Sequence, residues 1–359
     1  MSDDGFAARI IAWQRSHGRH DLPWQNTRDP YRIWVSEIML QQTQVGAVIP
    51  YYLRFMARFP DVRALAAASE DQVLACWSGL GYYARGRNLH RGARLIVERH
   101  AGAFPCEFEA VRALPGVGRS TASAICVFAF GQRCAILDGN VRRVLARHDG
   151  IKGYPGDKQV QDRLWQRAES LLPSSGIESY TQGLMDLGAG VCSRRSPHCW
   201  ACPVAETCVA RRNGLTGDLP SPRPAKTLPQ RDTAMLILLS RGEVLLEKRP
   251  VPGIWGGLWS FPEVSEDRVE DAARRYGARL SGISRLAPVD HGFTHFKLRI
   301  RPVLAQVARH TGAEEPGRLW LSLEDALGAA IPAPVKLILR ELRCAPDLTA
   351  RLVGPAEKP

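Results

Sequence analysis

The 359-residue chain lacks the long apolar segments, internal repeats and polybasic tails that mark several broad classes of protein. No apolar run reaches the roughly 20 residues that a membrane-spanning helix needs, and no period of solenoid length repeats. Residues 1–4 are acidic and do not show the basic and then apolar order of a secretion signal. These absences predict a cytoplasmic protein that has no membrane partner.

Acidic side chains are the minority charge, because 36 Asp and Glu stand against 48 Lys and Arg and leave a net charge of +12. Residues 1–225 carry 28 basic and 20 acidic side chains (net +8), and residues 226–359 carry 20 and 16 (net +4). Such a balance is typical of proteins that bind polyanions, and also of proteins kept soluble by excess charge. Apolar residues at 45% exclude a disordered chain.

Signals for β-hairpins are scarce in residues 6–212, which predict helices separated by Gly and Pro. The pair Asp29-Pro30 predicts an N-cap followed by proline at the first helical position. Gly131 predicts the end of another helix, which begins near Ser120. The chain up to residue 214 therefore predicts an all-α domain.

A proline-rich segment, residues 215–230, predicts an extended linker. Beyond it, the apolar stretches 235–239 and 244–248 flank a Ser-Arg-Gly turn, which predicts a strand, a turn and a second strand. The change in pattern indicates a second, smaller α+β domain over residues 231–359.

The second domain carries two further local signals. Residues 297–301 alternate between polar and apolar as in a strand, and Pro302 predicts that this strand ends or lies at a sheet edge. Residues 319–321 predict another strand, and Ser322 predicts the N-cap of the helix that follows.

Four of the nine cysteines fall within 17 residues, at Cys192, Cys199, Cys202 and Cys208. Because a cytosolic protein seldom forms structural disulfides, so dense an array predicts one metal centre. Four thiolates suit structural zinc and an iron–sulfur cluster equally, and the spacing does not separate the two. The other five cysteines, being scattered, are predicted to be packing residues.

The segment Leu-Pro-Gly-Val-Gly at residues 114–118 predicts a tight turn between two helices. Gly116 and Gly118 would leave the backbone N–H groups of the next helix free to bind a phosphate, or would simply join the helices. Twenty residues later, Asp138 stands among apolar residues and before a glycine. An aspartate in such a place is ordinarily a turn-capping residue.

Together, the glycine hairpin (about residues 112–131), Asp138 at that distance and the cysteine array resemble the helix–hairpin–helix DNA glycosylases with a [4Fe–4S] cluster. The resemblance implies one [4Fe–4S] cluster, in preference to zinc, in the loop 192–208. It also places Ser120 where bifunctional endonuclease III-type enzymes have a catalytic lysine. A serine offers no amine for a Schiff base, which disfavours lyase activity.

Four further motifs are similar to those of one family, the MutY adenine DNA glycosylases. They are Trp-Val-Ser-Glu-Ile-Met-Leu-Gln-Gln-Thr-Gln-Val from Trp34, Gly-Leu-Gly-Tyr-Tyr-Ala-Arg from Gly79, Asp-Gly-Asn from Asp138 and Met-Asp-Leu-Gly-Ala from Met185. The resemblance covers nearly the whole chain and is strongest over residues 20–210. It implies an enzyme that binds duplex DNA and removes adenine.

The family resemblance also implies roles for individual residues. Removing adenine requires protonation of a poor leaving group and stabilisation of a cationic sugar, which suits two carboxyl groups in different protonation states. Glu37 is matched to the general acid and Asp138 to the carboxylate that stabilises the sugar cation, with Asn140 and Ser120 supporting Asp138. The alternative for Glu37 taken alone is a solvated helix glutamate.

Base recognition requires the target nucleotide to leave the duplex. Gln41, Gln42 and Tyr82 resemble the wedge that fills the gap, and are called the wedge residues below. Trp24 and Gln182 match positions that line the adenine pocket. The alternatives are an ordinary core role for Trp24 and surface packing for Tyr82.

The second domain resembles the Nudix-like C-terminal domain of the same family. Gly-Leu-Trp-Ser-Phe-Pro-Glu at residues 257–263 reproduces the start of a Nudix box, but the metal-binding glutamate pair falls near Arg275 and Tyr276. Basic residues cannot hold the Mg²⁺ of a pyrophosphatase, so the domain is predicted to bind and not to hydrolyse. Phe293, Thr294 and His295 match the Phe-Ser-His loop that senses 8-oxoguanine, and the alternative is an ordinary β-turn.

The sequence thus predicts a monofunctional, monomeric base excision repair enzyme that removes adenine mispaired with 8-oxoguanine or guanine. It would consist of an all-α helix–hairpin–helix domain with a [4Fe–4S] loop and a C-terminal α+β Nudix-like domain. Two alternatives are an endonuclease III-like glycosylase/lyase for oxidised pyrimidines, which Ser120 and the second domain disfavour, and an iron–sulfur protein that binds damaged DNA without cutting it, which Glu37 and Asp138 disfavour.

Overall fold

A computed structural model describes residues 4–224, 227–276, 283–307 and 316–344. The chain forms two compact units, one made of Met1–Ala67 and Asn88–Ala225 and the other of Ala68–Arg87 and Lys226–Pro359. Residues 1–3, on which part of the prediction about a secretion signal rests, lie outside the described residues. No helix within the ranges given above is long and apolar enough to span a bilayer.

Helices dominate the chain up to residue 212 and recur near its C-terminal end. In chain order they are α1 (Asp4–His17), α2 (Pro30–Leu40), α3 (Val45–Arg58), α4 (Val62–Ala67), α5 (Glu70–Trp77), α6 (Ala84–His100), α7 (Phe108–Arg112), α8 (Arg119–Phe130), α9 (Gly139–His148), α10 (Lys158–Ser170), α11 (Ile177–Asp186), α12 (Val209–Arg212), α13 (Val269–Arg275), α14 (Leu323–Gly328) and α15 (Ala333–Cys344). A π-helical turn (Leu187–Val191) follows α11, and a 3₁₀ turn (Cys199–Ala201) precedes α12.

The caps of the helices follow from local chemistry. Asp29 accepts a hydrogen bond from the N–H of Tyr31, and Pro30 opens α2, which confirms the predicted N-cap. Gly131 adopts the left-handed conformation at the end of α8 (φ 65°), which confirms the predicted stop. Asp138 caps α9 by accepting from the N–H of Val141.

Close packing of α1 against α11 fixes one wall of the first unit. A Cβ atom on Gly183 of α11 would lie 2.8 Å from Cγ2 of Ile10 and 3.0 Å from Cβ of Gln14, so only glycine permits this approach. The apolar core continues through α8, α9 and α10. This packing holds the cavity-facing end of α11 in place.

The second unit is built on a mixed sheet. Its described strands are β1 (Gln230–Ser240), β2 (Glu243–Lys248), β3 (Trp259–Ser260), β4 (Glu263–Val264), β5 (Ser284–Arg285), β6 (Val289–Gly292), β7 (Lys297–Gln306) and β8 (Arg318–Ser322). The central strands β1 and β7 are parallel, with Gln230 opposite Lys297 and Leu239 opposite Gln306. The predicted β1–β2 hairpin is confirmed by the antiparallel pair Ser240 and Glu243, and the cap of α14 by the hydrogen bond from the N–H of Asp325 to Ser322.

The prediction that Pro302 ends a strand or lies at a sheet edge is wrong. Pro302 lies inside β7, which pairs with β1 on one side and with β5 and β6 on the other. The pairing with β6 stops at Ile300, and the pairing with β5 begins at Val303. Because Pro302 falls between the two partners, its missing N–H removes no hydrogen bond of the β5 or β6 ladder.

Residues 68–87 belong to the sheet-containing unit although they precede it by more than a hundred residues. The hydroxyl groups of Ser78 and Tyr83 both donate to the carbonyl oxygen of Ile331, at 3.2 and 3.1 Å. Lys248 forms an ion pair with Asp71 at 2.8 Å. The segment that carries the Gly-Leu-Gly-Tyr-Tyr motif is therefore held by the second unit.

Candidate active site

A cavity of about 670 Å³ opens in the first unit, between α2, α11, the start of α9 and the loop that follows α1. It brings together five of the residues that the sequence singles out, namely Trp24, Glu37, Asp138, Asn140 and Gln182. Polar and apolar side chains both line it, which suits a flat heterocycle with hydrogen-bonding edges. No lysine is among its lining residues within the described part of the chain.

Glu37 projects from α2 into this cavity. Burial raises the pKa of its carboxyl group from 4.5 to about 8, and the negative charge of Asp138 contributes to the rise. Among the described residues it accepts no hydrogen bond. A carboxyl group in these surroundings keeps its proton near neutral pH.

Asp138 faces the same cavity from the N-terminus of α9. Burial also raises its pKa, but the N–H groups of Val141 and Asn140 and the charges of Arg143 and Arg142 act in the opposite direction. Its Oδ1 accepts from the N–H of Val141 at 2.7 Å. The N-terminus of α9 favours an anion. Asp138 therefore caps the helix and faces the cavity at the same time.

Asn140 and Ser120 occupy different places around Asp138. Asn140 lines the cavity and accepts a hydrogen bond from Arg143 at 2.9 Å. Ser120 is not among the lining residues, and its hydroxyl accepts from the N–H of Leu137 at 3.0 Å. Ser120 thereby holds the backbone next to Asp138 without reaching the cavity.

The glycine hairpin forms the turn between α7 and α8. Gly116 has a φ of 78°, and Gly118 is the N-cap of α8 with no side chain to cover the helix end. A Cβ atom on Gly116 would come within 3.0 Å of Asn88. No side chain therefore caps the first N–H groups of α8, as a phosphate-binding helix start requires.

The wedge residues lie outside the cavity, and two of them have unusual backbone geometry. Gln42 and Tyr82 are non-glycine residues with positive φ, 57° and 47°. Both side chains are exposed, Tyr82 to 47%. Gln41 is the C-cap of α2 and donates to the carbonyl oxygen of Gly116 at 3.4 Å and to Thr121 at 3.3 Å. Strained exposed residues of this kind are found at ligand-contacting sites.

The four predicted cysteine ligands line one small cavity, and no carboxylate lies among its lining residues. Burial raises the pKa of the Cys202 thiol to about 11 and that of Cys208 above its usual value. The described residues contain no group of three or more His, Cys, Asp or Glu close enough to hold a single metal ion. Four thiols around one cavity, with no carboxylate beside them, are a donor set that fits an iron–sulfur cluster and equally fits structural zinc.

Two arginines that the sequence analysis missed connect this loop to the rest of the unit. Arg147 is buried and donates to Sγ of Cys192 at 3.3 Å and to the carbonyl oxygen of Ser193 at 2.7 Å. Arg143 donates to the carbonyl oxygen of Cys192 at 2.8 Å as well as to Asn140. Their spacing of three and seven residues after Asn140 on α9 is the signal that could have found them.

In the second unit, the predicted lesion loop joins β6 to β7. Its backbone closes through the bond from the N–H of Phe293 to the carbonyl oxygen of Phe296, as in a tight turn. Phe293 stacks on the buried Phe296, with ring centroids 4.5 Å apart. Thr294 and His295 are exposed. The loop is thus a turn on an aromatic base, with two exposed polar side chains whose Thr294 Oγ1 and His295 Nδ1 atoms lie 3.4 Å apart.

The Nudix-like segment of the second unit has a different electrostatic character. Glu263 is paired with Arg249 and accepts a hydrogen bond from Thr233 at 2.8 Å. Tyr276 donates to Glu247 at 2.7 Å. The one box glutamate that the sequence retains is therefore engaged by protein groups.

Two family models match the chain. Residues 35–170 match the HhH-GPD superfamily of base excision DNA repair proteins, and residues 233–341 match the NUDIX domain. The chain is 35% identical to the adenine DNA glycosylase of Buchnera aphidicola subsp. Acyrthosiphon pisum, over 94% of this chain and 97% of that protein. It is 34% identical to the human adenine DNA glycosylase, over 93% of this chain and 73% of that protein.

A solved structure of a thermostable thymine-DNA glycosylase is similar as well. It is 29% identical, covers 59% of this chain and 97% of its own, and superimposes with a TM-score of 0.52. The helical unit therefore has the fold of a DNA glycosylase.

Proposed function

The chain belongs to the adenine DNA glycosylases of the HhH-GPD superfamily, and from this we propose that it hydrolyses the N-glycosidic bond of adenine mispaired with 8-oxoguanine or guanine. It is a base excision repair enzyme that removes adenine. The observation that carries the mechanism is the Glu37–Asp138 pair: two carboxyl groups face one cavity, and only one of them is supplied with hydrogen-bond donors.

Glu37 is proposed to protonate the leaving base. Its pKa of about 8 means that most of the enzyme carries the proton at pH 7. Transfer of this proton to N7 of adenine turns a poor leaving group into a good one. The carboxylate that results is then placed to accept a proton from the attacking water.

Asp138 is proposed to stabilise the sugar cation. The N–H groups of the α9 N-terminus favour its carboxylate form, and from its position at the cavity this carboxylate is proposed to face the sugar of a flipped nucleotide. Arg143 donates to Asn140 and to the carbonyl oxygen of Gly188, and so holds this end of α9 to the π-helical turn that follows α11. A fixed anion in a water-poor site stabilises a developing cation more than bulk water does.

Base release is proposed to occur without strand cleavage. A lyase step needs an amine to form a Schiff base with the sugar. The described residues that line the cavity include no lysine, and Ser120 holds the backbone at Leu137. These features disfavour the endonuclease III-like alternative.

Recognition of the duplex is proposed to use the wedge residues, the bare N-terminus of α8 at Gly116 and Gly118, and the lesion loop Phe293–Thr294–His295. Glycine at the start of a helix admits a phosphate oxygen without reading sequence. The threonine hydroxyl is proposed to bond the altered edge of 8-oxoguanine.

The cysteine loop is proposed to hold one [4Fe–4S] cluster on Cys192, Cys199, Cys202 and Cys208. When bound, the cluster would cross-link a loop that otherwise has only short turns. Arg147 and Arg143 anchor the first cysteine of that loop to α9. Purified protein is expected to be brown, with iron and acid-labile sulfide in equal amounts; active protein that contains zinc and no iron would contradict this assignment.

One assay tests the proposed function. The protein is incubated with duplexes that carry adenine opposite 8-oxoguanine or guanine, and the products are separated with and without hot alkali. Free adenine and strand breaks that appear only after alkali are expected. Absence of free adenine would refute the proposal, and strand breaks without alkali would favour the lyase alternative.

A further inference from the structure

One hydrogen-bonded group at the cavity has no part in the mechanism above. It consists of Gln182 and Asp186 on α11 and Arg19 in the loop after α1. Gln182 and Asp186 are four residues apart and so share one face of the helix. Gln182 and Arg19 line the cavity, whereas Asp186 is not among its lining residues and its side chain is only 4% exposed.

Arg19 holds both carboxylate oxygens of Asp186. Its backbone N–H donates to Oδ2 at 2.9 Å, and Nε of its guanidinium group donates to Oδ1 at 2.7 Å. Nη2 of the same group forms an ion pair with Oδ1 at 2.6 Å. A carboxylate paired in this way offers only acceptors.

The carboxylate in turn fixes the amide of Gln182. Nε2 of Gln182 lies 2.9 Å from Oδ1 of Asp186. If the amide were rotated by 180°, its Oε1 would face a carboxylate oxygen at this distance, which is repulsive. Oε1 has no hydrogen-bond partner within the described residues, and it is the amide oxygen left for a base in the cavity.

This orientation matters because a glutamine amide pairs with adenine in one sense only. On the Watson–Crick edge of adenine the 6-amino group donates and ring nitrogen N1 accepts, so this edge complements Oε1 and the second N–H of Nε2 and leaves N7 to Glu37. A 6-oxo purine presents an acceptor at the same position and would meet Oε1 oxygen to oxygen.

Resting on the proposed function, we propose that Asp186 is a positioning residue which fixes the Gln182 amide and so makes the pocket select 6-amino over 6-oxo purines. The test is single-turnover release of adenine and of hypoxanthine, each opposite guanine in the same duplex. The variant Asp186→Asn keeps the shape but supplies an amide nitrogen, which allows the Gln182 amide to rotate. The ratio of adenine to hypoxanthine release is expected to fall by about tenfold or more.

Gln182→Met, which retains length without an amide, is the control. In its background the additional change Asp186→Asn is expected to leave the ratio unchanged within about twofold, because no amide remains to be oriented. Gln182→Met by itself also keeps the proposal testable if Asp186→Asn does not fold, and it should lower the ratio.

Three results would overturn the inference. They are an Asp186→Asn ratio equal to that of the wild type, an equal loss of both activities, and an unchanged ratio in Gln182→Met. Failure of the wild-type protein to release adenine at all would instead refute the proposed function, so the two failures are distinguishable.

Discussion

Glu37 in the helical unit and Glu263 in the sheet unit both stand in sequence motifs that resemble those of enzymes, yet the two carboxyl groups have opposite surroundings. Glu37 lines a cavity and accepts no hydrogen bond among the described residues, and burial raises its pKa to about 8. Glu263 is paired with Arg249 and bonded by Thr233. The comparison teaches that a motif supplies a carboxyl group, while its neighbours decide whether it reacts or holds structure.

The largest expected effect separates the two glutamates by activity. Glu37→Gln removes the proton donor and is expected to slow adenine release by about 10³-fold. Glu263→Gln, the matched control, is expected to leave it within about twofold. Single-turnover rates with saturating enzyme would measure both, and a Glu37→Gln rate above a tenth of the wild type would show that Glu37 is not the acid.

Asp138→Asn is expected to reduce base release by about 10²-fold or more, because the neutral amide cannot stabilise the sugar cation. Asparagine is as good an N-cap as aspartate, so the thermal midpoint should change little. Binding of a duplex with an uncleavable adenine analogue should persist. Retention of full activity would remove Asp138 from the mechanism.

Stability should respond to the two glutamates with opposite signs. The folded-state pKa of Glu37 is raised from 4.5 to about 8, so its contribution to stability falls as the pH rises through that window. Glu37→Gln is therefore expected to stabilise the protein by about 2–4 kcal/mol at pH 8 and not at pH 4. Glu263→Gln should destabilise it by about 1–2 kcal/mol at pH 8.

Urea unfolding at the two pH values would measure these changes in the free energy of unfolding. A stabilising effect of Glu37→Gln that is equal at pH 4 and pH 8 would contradict the raised pKa. If Glu37→Gln and Glu263→Gln changed the free energy of unfolding at pH 8 in the same direction, the two sites would not differ as proposed.

The pH dependence of activity sharpens the assignment of Glu37. The acid must carry its proton, so the rate is expected to be independent of pH just below about 8 and to fall about tenfold per unit above it. The fall in rate above pH 8 should be less steep with a duplex whose leaving base is more labile, because such a base depends less on the proton of Glu37. An alkaline limb that starts near pH 5 would contradict the raised pKa of Glu37.

The smallest expected effect concerns the lesion loop of the sheet unit. Thr294→Ser retains the hydroxyl and is expected to change the preference for 8-oxoguanine over guanine by less than about twofold. Thr294→Ala should lower it by about fivefold, the value of one hydrogen bond. Competition between duplexes with adenine opposite 8-oxoguanine and opposite guanine measures this preference. An unchanged preference in Thr294→Ala would exclude the hydroxyl group from recognition.

Local chemistry explains which parts of the structure the sequence predicts well. Asp29-Pro30 and Gly131 predict helix ends because a cap depends on residues within one turn, and the same holds for Ser322. Pro302 misleads because its effect depends on which strands flank it, and that depends on pairing with distant residues.

The site shows the same division. Glu37 and Asp138 stand in recognisable motifs, but the pairing of Arg19 with Asp186 joins positions 167 residues apart. No pattern along the chain indicates that contact, because both residue types are common on solvated surfaces. Arg143 and Arg147 lie closer to a known motif and could have been found from helical spacing.

Residues 68–87 have a consequence for chimeric proteins. A hybrid that takes everything after residue 225 from a relative would join a foreign sheet unit to this chain's own Asp71, Ser78 and Tyr83. The bonds from Ser78 and Tyr83 would survive, since they end on a backbone carbonyl group, whereas the Asp71–Lys248 pair would depend on the donor sequence. The interchangeable module of this protein is therefore not one continuous stretch of its gene, and an exchange must carry two pieces together.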